Sequence, residues 1–329
     1  MSIFELLKSK VKNAGKKYRI VFAEGNDERV LAAAAALQQD DVLEPILLGD
    51  TAEIENVANQ NKISLAQIQV VNPEKFHALD EMIAAFISAR GKEITKEEVR
   101  EALKDPNYFG TMLVQMGKAD GMVSGAAHST AETVRPALQL IHTAAGMSRV
   151  SGSFIMERGE EKYLFADCAI NIAPDAKTLA EIAYQSVQTA KLADIEPRVA
   201  FLSFSTKGSA KGEMVTKVAE AASLFQKQHP DIPADGELQF DAAFVPAVAA
   251  KKAPDSEIKG RANIFIFPEL QSGNIAYKIT QRLGNFTAIG PILQGIAQPV
   301  NDLSRGASSD DIYHMAVLTA AQALLKDKQ

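Results

Sequence analysis

The segment from Pro299 to Asp311, PVNDLSRGASSDD, gathers groups that could do chemistry on a phosphorylated substrate. Ser304 offers a hydroxyl, Arg305 a guanidinium, Gly306 a flexible backbone, and Asp310 and Asp311 carboxylates, directly before a final helix expected over 312–325. A phosphate-bearing molecule could rest on Arg305 and the helix N-terminus, with a carboxylate one turn further on as the base. Ser309 and Asp310 also suit helix-cap and first-turn positions, where a carboxylate complements the helix dipole. That use does not account for Ser304-Arg305. A second polar segment runs from Val123 to Pro136, VSGAAHSTAETVRP. Hydroxyls of Ser124, Ser129 and Thr130, helix-start N–H groups and the charge of Arg135 would make an anion site; the same residues could equally be a helix cap and nothing more. Pro136 requires either a kinked helix or one that begins at the proline. A third segment, Phe165 to Asp175, brings Asp167, Cys168 and Asn171 to a strand end. Cys168 lies in an apolar run with no neighbouring histidine, the setting of an inert buried thiol.

Other chemistries lack their residues. No G-x-x-x-x-G-K-[ST] loop is present, since Lys207 to Gly212 (KGSAKG) has the composition without the spacing, and no G-x-G-x-x-G follows a strand. The five histidines never form H-E-x-x-H or sit beside a second metal ligand, so no metal site is expected. Cys168, the single cysteine, excludes an intrachain disulfide and points to a reducing cytoplasm. With 35 Lys plus Arg against 41 Asp plus Glu, the net charge of −6 argues against a nucleic-acid footprint. No apolar stretch reads as a signal peptide or a membrane span; 285–301 is broken by Gly290, Pro291, Gly295 and Pro299.

The elements that must carry these segments alternate. Tyr18 to Ala23 reads as a strand, closed by Gly25-Asn26-Asp27 and followed by an Ala-rich helix over 28–37. The pattern recurs with strands at 44–48, 67–71 and 121–124, a helix at 77–90, and capping-box spellings at Thr95-Lys96-Glu97-Glu98 and Ser129-Thr130-Ala131-Glu132. In the second half, apolar runs at 163–170, 199–205, 264–267 and 287–293 suit strands buried on both faces, between helices at 175–192, 212–228 and 274–283. Val150 to Met156 and Lys162 to Cys168 could pair antiparallel across a polar turn. At 329 residues, 47% hydrophobic and 23% charged, the chain is long enough for about two domains. The fold class expected is α/β with two domains and mainly parallel sheets, the change falling near 146–150.

Six segments, GMVSGAAHSTAETVRPALQLI (121–141), FADCAINIAPDAKTLAEIA (165–183), RVAFLSFSTKGSAKGE (198–213), DGELQFDAAF (235–244), ANIFIFPELQSGNIAYKITQRL (262–283) and GPILQGIAQPVNDLSRGASSDDI (290–312), together resemble the phosphate acetyltransferase (phosphotransacetylase) family, in its short form and along essentially the whole chain. The resemblance implies reversible acetyl transfer between acetyl phosphate and coenzyme A, with acetyl-CoA and phosphate as the other pair. CoA is then a substrate, and no metal or other cofactor is needed. It further implies a cytoplasmic homodimer whose fold resembles that of isocitrate and isopropylmalate dehydrogenases. In that fold a discontinuous first domain (1–148 plus 294–329) embraces a second (149–293), with the active site in the interdomain cleft. By motif, Ser304, Arg305 and Asp311 match the catalytic serine, arginine and aspartate, the last as base. Arg135, in TVRP, matches an anion-binding arginine, and Arg90, in SARGKEIT, matches another in a more variable segment. Relatives often carry Cys where Ala307 stands, which counts against an essential thiol there. A phosphate butyryltransferase would share fold and site with a roomier acyl pocket. A nicotinamide-dependent decarboxylating dehydrogenase would need clustered aspartates and an adenosine loop that are not found.

Overall fold

The structure, a computed structural model, describes residues 1–91 and 93–328; Lys92 of the SARGKEIT segment and Gln329 lie outside the described residues. The chain begins with α1 (Ile3–Lys12), β1 (Arg19–Phe22), α2 (Glu28–Gln39), β2 (Glu44–Leu48), α3 (Thr51–Gln60) and β3 (Gln69–Val71). After a 3₁₀ turn at Pro73–Lys75 come α4 (Leu79–Arg90), α5 (Lys96–Ala102), α6 (Pro106–Gln115), β4 (Gly121–Ser124) and α7 (Thr130–Leu140). Local chemistry starts most of these helices. Asp27, Asp50 and Asp105 sit in extended backbone and accept first-turn N–H groups, and Thr95 exchanges bonds with Glu98 in a capping box.

The next stretch holds β5 (Ser151–Arg158), β6 (Glu161–Ala166), α8 (Ala176–Leu192), β7 (Val199–Leu202), α9 (Glu213–Gln228), β8 (Ala234–Leu238), α10 (Phe240–Phe244), α11 (Pro246–Lys252), β9 (Ile264–Ile266), α12 (Leu270–Arg282) and β10 (Thr287–Gln294). The chain ends with β11 (Val300–Asp302) and α13 (Ser309–Asp327). These elements form two compact units. One comprises Ile3–Ala145 together with the chain from Ile296 onward, the other Gly146–Gly295.

The first unit is built on a five-stranded sheet in the order β11-β4-β1-β2-β3, parallel throughout. Val21, Ile46, Leu48, Met122 and Val300 turn one face toward Met82, Phe86, Phe109, Met112 and Leu140, which come from α4, α6 and α7. Gly121 turns the other face toward Thr319 of α13. Helices on both faces explain why these strands read as short apolar runs instead of alternating ones. The second unit carries a six-stranded sheet, β10-β5-β6-β9-β7-β8. Its β6-β9-β7-β8 portion is parallel, whereas β10, β5 and β6 pair antiparallel. The α/β class with mainly parallel sheets is as the sequence indicated.

Several boundaries differ from the sequence expectation for identifiable reasons. The run expected as a strand to Ile170 stops at Ala166, because the buried Asp167 carboxylate accepts the N–H groups of Ala169, Ile170 and Asn171 and turns the chain. Strand β10 is an antiparallel edge, half-exposed over most of its length, not a strand buried on both faces. Strand β8 was not anticipated, since Asp235 and Glu237 interrupt its apolar character. Pro136 lies buried inside α7 and does not begin it; the helix starts at Thr130, where Ser129 is held by Glu132.

Candidate functional site

Chain order and sheet order diverge between β1 and β4. From β1 the chain moves outward through β2 to β3, then crosses back to place β4 on the other side of β1. In parallel α/β sheets the crevice at the carboxyl ends of the strands flanking such a reversal is where ligands bind. Here a side chain of the protein occupies part of it. Glu24, two residues past β1 and buried, accepts N–H groups from Gly125 (3.1 Å), Ala126 (3.0 Å), Ala127 (2.8 Å) and His128 (3.1 Å), and bonds His128 Nδ1 at 2.7 Å. The backbone nest that the sequence offers to an anion is thus filled by an internal carboxylate.

The hydroxyls expected around it are also spent within the protein. Ser124 is fully buried, and its Oγ donates to Asn107 Oδ1 at 2.6 Å, which removes it as a substrate or oxyanion donor. Ser129 donates both its N–H and its hydroxyl to Glu132, each at 2.7 Å, so its role here is the helix cap. Thr130 donates its hydroxyl to Asp302 Oδ2 at 2.5 Å. Arg135, on the exposed side of α7, and Arg90, half-buried at the end of α4, have no ion-pair partner among the described residues.

The loop between β11 and α13 carries the other candidates. Ser304, Arg305 and Gly306 are exposed, and Ser304 Oγ accepts the Gly306 N–H at 3.3 Å. The Arg305 guanidinium has no ion-pair partner among the described residues, while its carbonyl is gripped by Arg29. One Arg29 nitrogen donates to the carbonyls of Arg305 and Ala307, the other to that of Ala126, all at 2.9 Å. Asp27 holds the same guanidinium from behind, at 3.0 Å on Nε and 2.7 Å on Nη2. One arginine therefore joins the β4–α7 loop to the β11–α13 loop, and its planar fork is what lets it reach three carbonyls. Asp311 takes part in a cap: its Oδ2 accepts the Ser308 N–H at 2.9 Å and hydroxyl at 2.8 Å, and its own N–H donates to Ser308 Oγ. Helix α13 accordingly starts at Ser309, earlier than the apolar periodicity from Ile312 suggested. The side chain remains exposed on the first turn.

Asp302 closes this arrangement. It ends β11, is 5% exposed, and its Oδ1 is buried without a hydrogen-bond partner. Its pKa is pushed up to about 6, chiefly by burial, against the pull of the Thr130 hydroxyl and with the Glu24 charge adding to the rise. The folded state thus binds this proton more tightly than the unfolded chain does. Stability from that source is complete below about pH 4 and is lost as pH rises through 6, on the order of 3 kcal/mol in all. Glu24, Arg29 and Asp302 were not among the residues singled out from the sequence. The only local signals were Glu24-Gly25-Asn26-Asp27 after a strand, which reads as a turn, and an aspartate two positions before Ser304.

Comparison with known proteins fits this geometry. The sequence profile described as "Phosphate acetyl/butaryl transferase" matches residues 2–320. The chain belongs to that family. Among curated relatives, phosphate acetyltransferase of Bacillus subtilis (strain 168) is 57% identical over 98% of this chain and 99% of its own. The Staphylococcus epidermidis (ATCC 12228) enzyme of the same name is 54% identical over 95% and 97%. The crystal structure of a phosphotransacetylase from Streptococcus pyogenes superposes with a TM-score of 0.95 at 56% identity, covering 98% of this chain and 99% of that one. A branched-chain phosphotransacylase from Enterococcus faecalis V583, 21% identical with a TM-score of 0.67 over 94% and 99%, shares the fold. Among the described residues no group of three His, Cys, Asp or Glu side chains is arranged to hold a metal ion, and no helix is long and apolar enough to cross a membrane.

The one thiol stands apart from this chemistry. Cys168 is fully buried, and burial, with Asp167 adding to it, raises its pKa well above that of an ordinary thiol. A thiol held neutral is a poor nucleophile. Cys168→Ala should keep most of its kcat and show no acetyl adduct by mass spectrometry, whereas an acetyl group trapped on Cys168 would establish a covalent route.

Proposed function

We propose that the protein catalyses reversible acetyl transfer between acetyl phosphate and coenzyme A, by direct attack of the CoA thiolate with no covalent enzyme intermediate. The observation that carries this reading is Arg305. It is an exposed guanidinium with no ion-pair partner among the described residues, on a loop anchored by Arg29 that also carries Ser304 and leads into the first turn of α13, where Asp311 stands. Asp311 takes the proton from the CoA thiol. The sulfur then attacks the acetyl carbonyl carbon, and the C–S bond forms as negative charge gathers on the carbonyl oxygen. In this reading Ser304 donates to that oxygen, a task Ser124 does not share because its hydroxyl is buried on Asn107. The C–O bond to phosphate breaks with its electron pair on the phosphate, whose charge Arg305 neutralises. Arg135 and Arg90 would hold the remaining anionic groups of the substrates.

Formation of the thioester from acetyl phosphate and CoA, followed spectrophotometrically, tests the reading; no thioester with purified protein would overturn it. Butyryl phosphate in a parallel arm should turn over more slowly, since the relatives that match this chain at high identity are named for acetyl transfer. Arg135→Ala should raise KM by more than it lowers kcat, because its charge is used in binding more than in the bond-making step. Unchanged kinetics in this variant would remove Arg135 from the site.

The same reading includes a homodimer. It is supported by Ile275, Ile279 and Leu283, spaced four apart along α12 and its end, which are 55%, 52% and 82% exposed and form one apolar stripe. Light scattering should return twice the mass of the chain. The compartment that suits a CoA-dependent reaction and a lone reduced thiol is the cytoplasm.

A further inference from the structure

Asp302 has fewer partners than its burial calls for. One oxygen receives the Thr130 hydroxyl at 2.5 Å, and the other is buried and unpartnered. Gly125 permits this approach. With φ of +115° it takes a backbone conformation that side chains disfavour, and a Cβ there would lie 2.6 Å from Asp302 Oδ1 and 2.6 Å from the Leu303 nitrogen. A buried carboxylate with an empty oxygen is a poor choice for stability, since an apolar side chain of similar volume is often neutral or stabilising in its place.

Its connections give it another use. Asp302 lies two residues before Ser304, and Thr130 is the first residue of α7, the helix that carries Arg135. Arg29 ties the same two loops only through main-chain carbonyls. The Thr130–Asp302 bond ties the end of β11 to the helix itself.

We propose that Asp302 is a positioning residue for acetyl transfer: by holding the Thr130 hydroxyl it fixes the first turn of α7 against the Leu303–Ala307 loop, and so sets how Ser304 and Arg305 are aimed relative to Arg135. The inference rests on the acetyl-transfer reading above. A displacement of about 1 Å in such a constellation can cost on the order of 10²-fold in rate.

The test compares the full-length parent with Thr130→Val, Thr130→Ser, Asp302→Leu and the Val/Leu double variant, measuring kcat, both KM values and Tm. Thr130→Val and Asp302→Leu should each lower kcat by about 10- to 10²-fold with smaller changes in KM; Tm should fall modestly in Thr130→Val, which leaves a buried carboxylate without a partner, and stay unchanged or rise in Asp302→Leu. Thr130→Ser, which keeps the hydroxyl, should restore kcat to within about threefold of the parent, and the double variant should be no slower than either single one. Parental kcat in Thr130→Val or Asp302→Leu, additive losses in the double variant, or a fall in kcat matched by a fall in Tm and not rescued by serine would each overturn the proposal. A Thr130 hydroxyl acting on substrate directly would leave Asp302→Leu active, which counts against the proposal as well. Should Asp302→Leu fail to fold, Asp302→Ala takes its place, and parental kcat in that variant overturns the proposal. A parent that forms no thioester overturns the acetyl-transfer reading and this role together, whereas an active parent with unaffected variants overturns this role only.

Discussion

Asp311→Asn should lower kcat by about 10²–10⁴-fold while leaving KM nearly unchanged, the loss typical of a removed general base. The CoA thiol, with a pKa near 8.5 in an ordinary setting, is mostly protonated at neutral pH and gains from a base on the first turn of α13. The competing account is the cap that Asp311 makes with Ser308, in which Oδ2 accepts both the N–H and the hydroxyl. A carboxylate that served only that cap and the helix dipole would contribute roughly 0.3–1 kcal/mol to stability. The two roles are compatible in one side chain, because the cap uses Oδ2 and the residue is exposed. They are separable by measurement. A variant whose Tm drops slightly while kcat stays within a fewfold of the parent shows a cap and no base. Raising the pH should partly rescue the asparagine variant, since solvent then supplies thiolate; a rate that stays flat with pH would assign Asp311 to positioning.

Arg305→Lys should reduce kcat by about 10²–10³-fold, comparable to the loss of one preorganised donor to a developing charge. Lysine retains the charge but presents a single ammonium where the guanidinium offers a planar fork, and a phosphoryl group is bound best by two parallel N–H donors. Among the described residues the side chain has no ion pair to lose, so the folded state should be little affected. Its main-chain carbonyl is committed to Arg29, and that bond survives the substitution. A lysine variant with parental kcat would take Arg305 out of the reaction. Arg29 makes a useful contrast, because its guanidinium is fully engaged by Asp27 and three carbonyls and acts on the loop instead of presenting a free charge.

The sequence by itself determined the features whose causes are local. The Thr95 capping box needs only a side chain three residues away, and it forms as spelled; the Ser129-to-Glu132 bonds do likewise. Strands at Arg19–Phe22, Glu44–Leu48 and Gly121–Ser124 were legible because a strand covered on both faces is a short apolar run. The burial of Cys168 was legible for the same reason. Family membership was legible as well, since six segments in order along the chain carry it. What only the tertiary structure decided is which polar groups remain available. Ser124, Ser129 and Thr130 look alike as candidate anion donors, yet each is committed to Asn107, Glu132 or Asp302. Glu24 fills a nest of N–H groups 101 to 104 residues away, Arg29 spans 276 and 278 residues to the carbonyls of Arg305 and Ala307, and Asp302 meets Thr130 across 172. No periodicity or spacing rule reaches that far. These contacts exist because β11, late in the chain, joins the sheet beside β4, and a polar group becomes free or spent only after the sheet has chosen its neighbours.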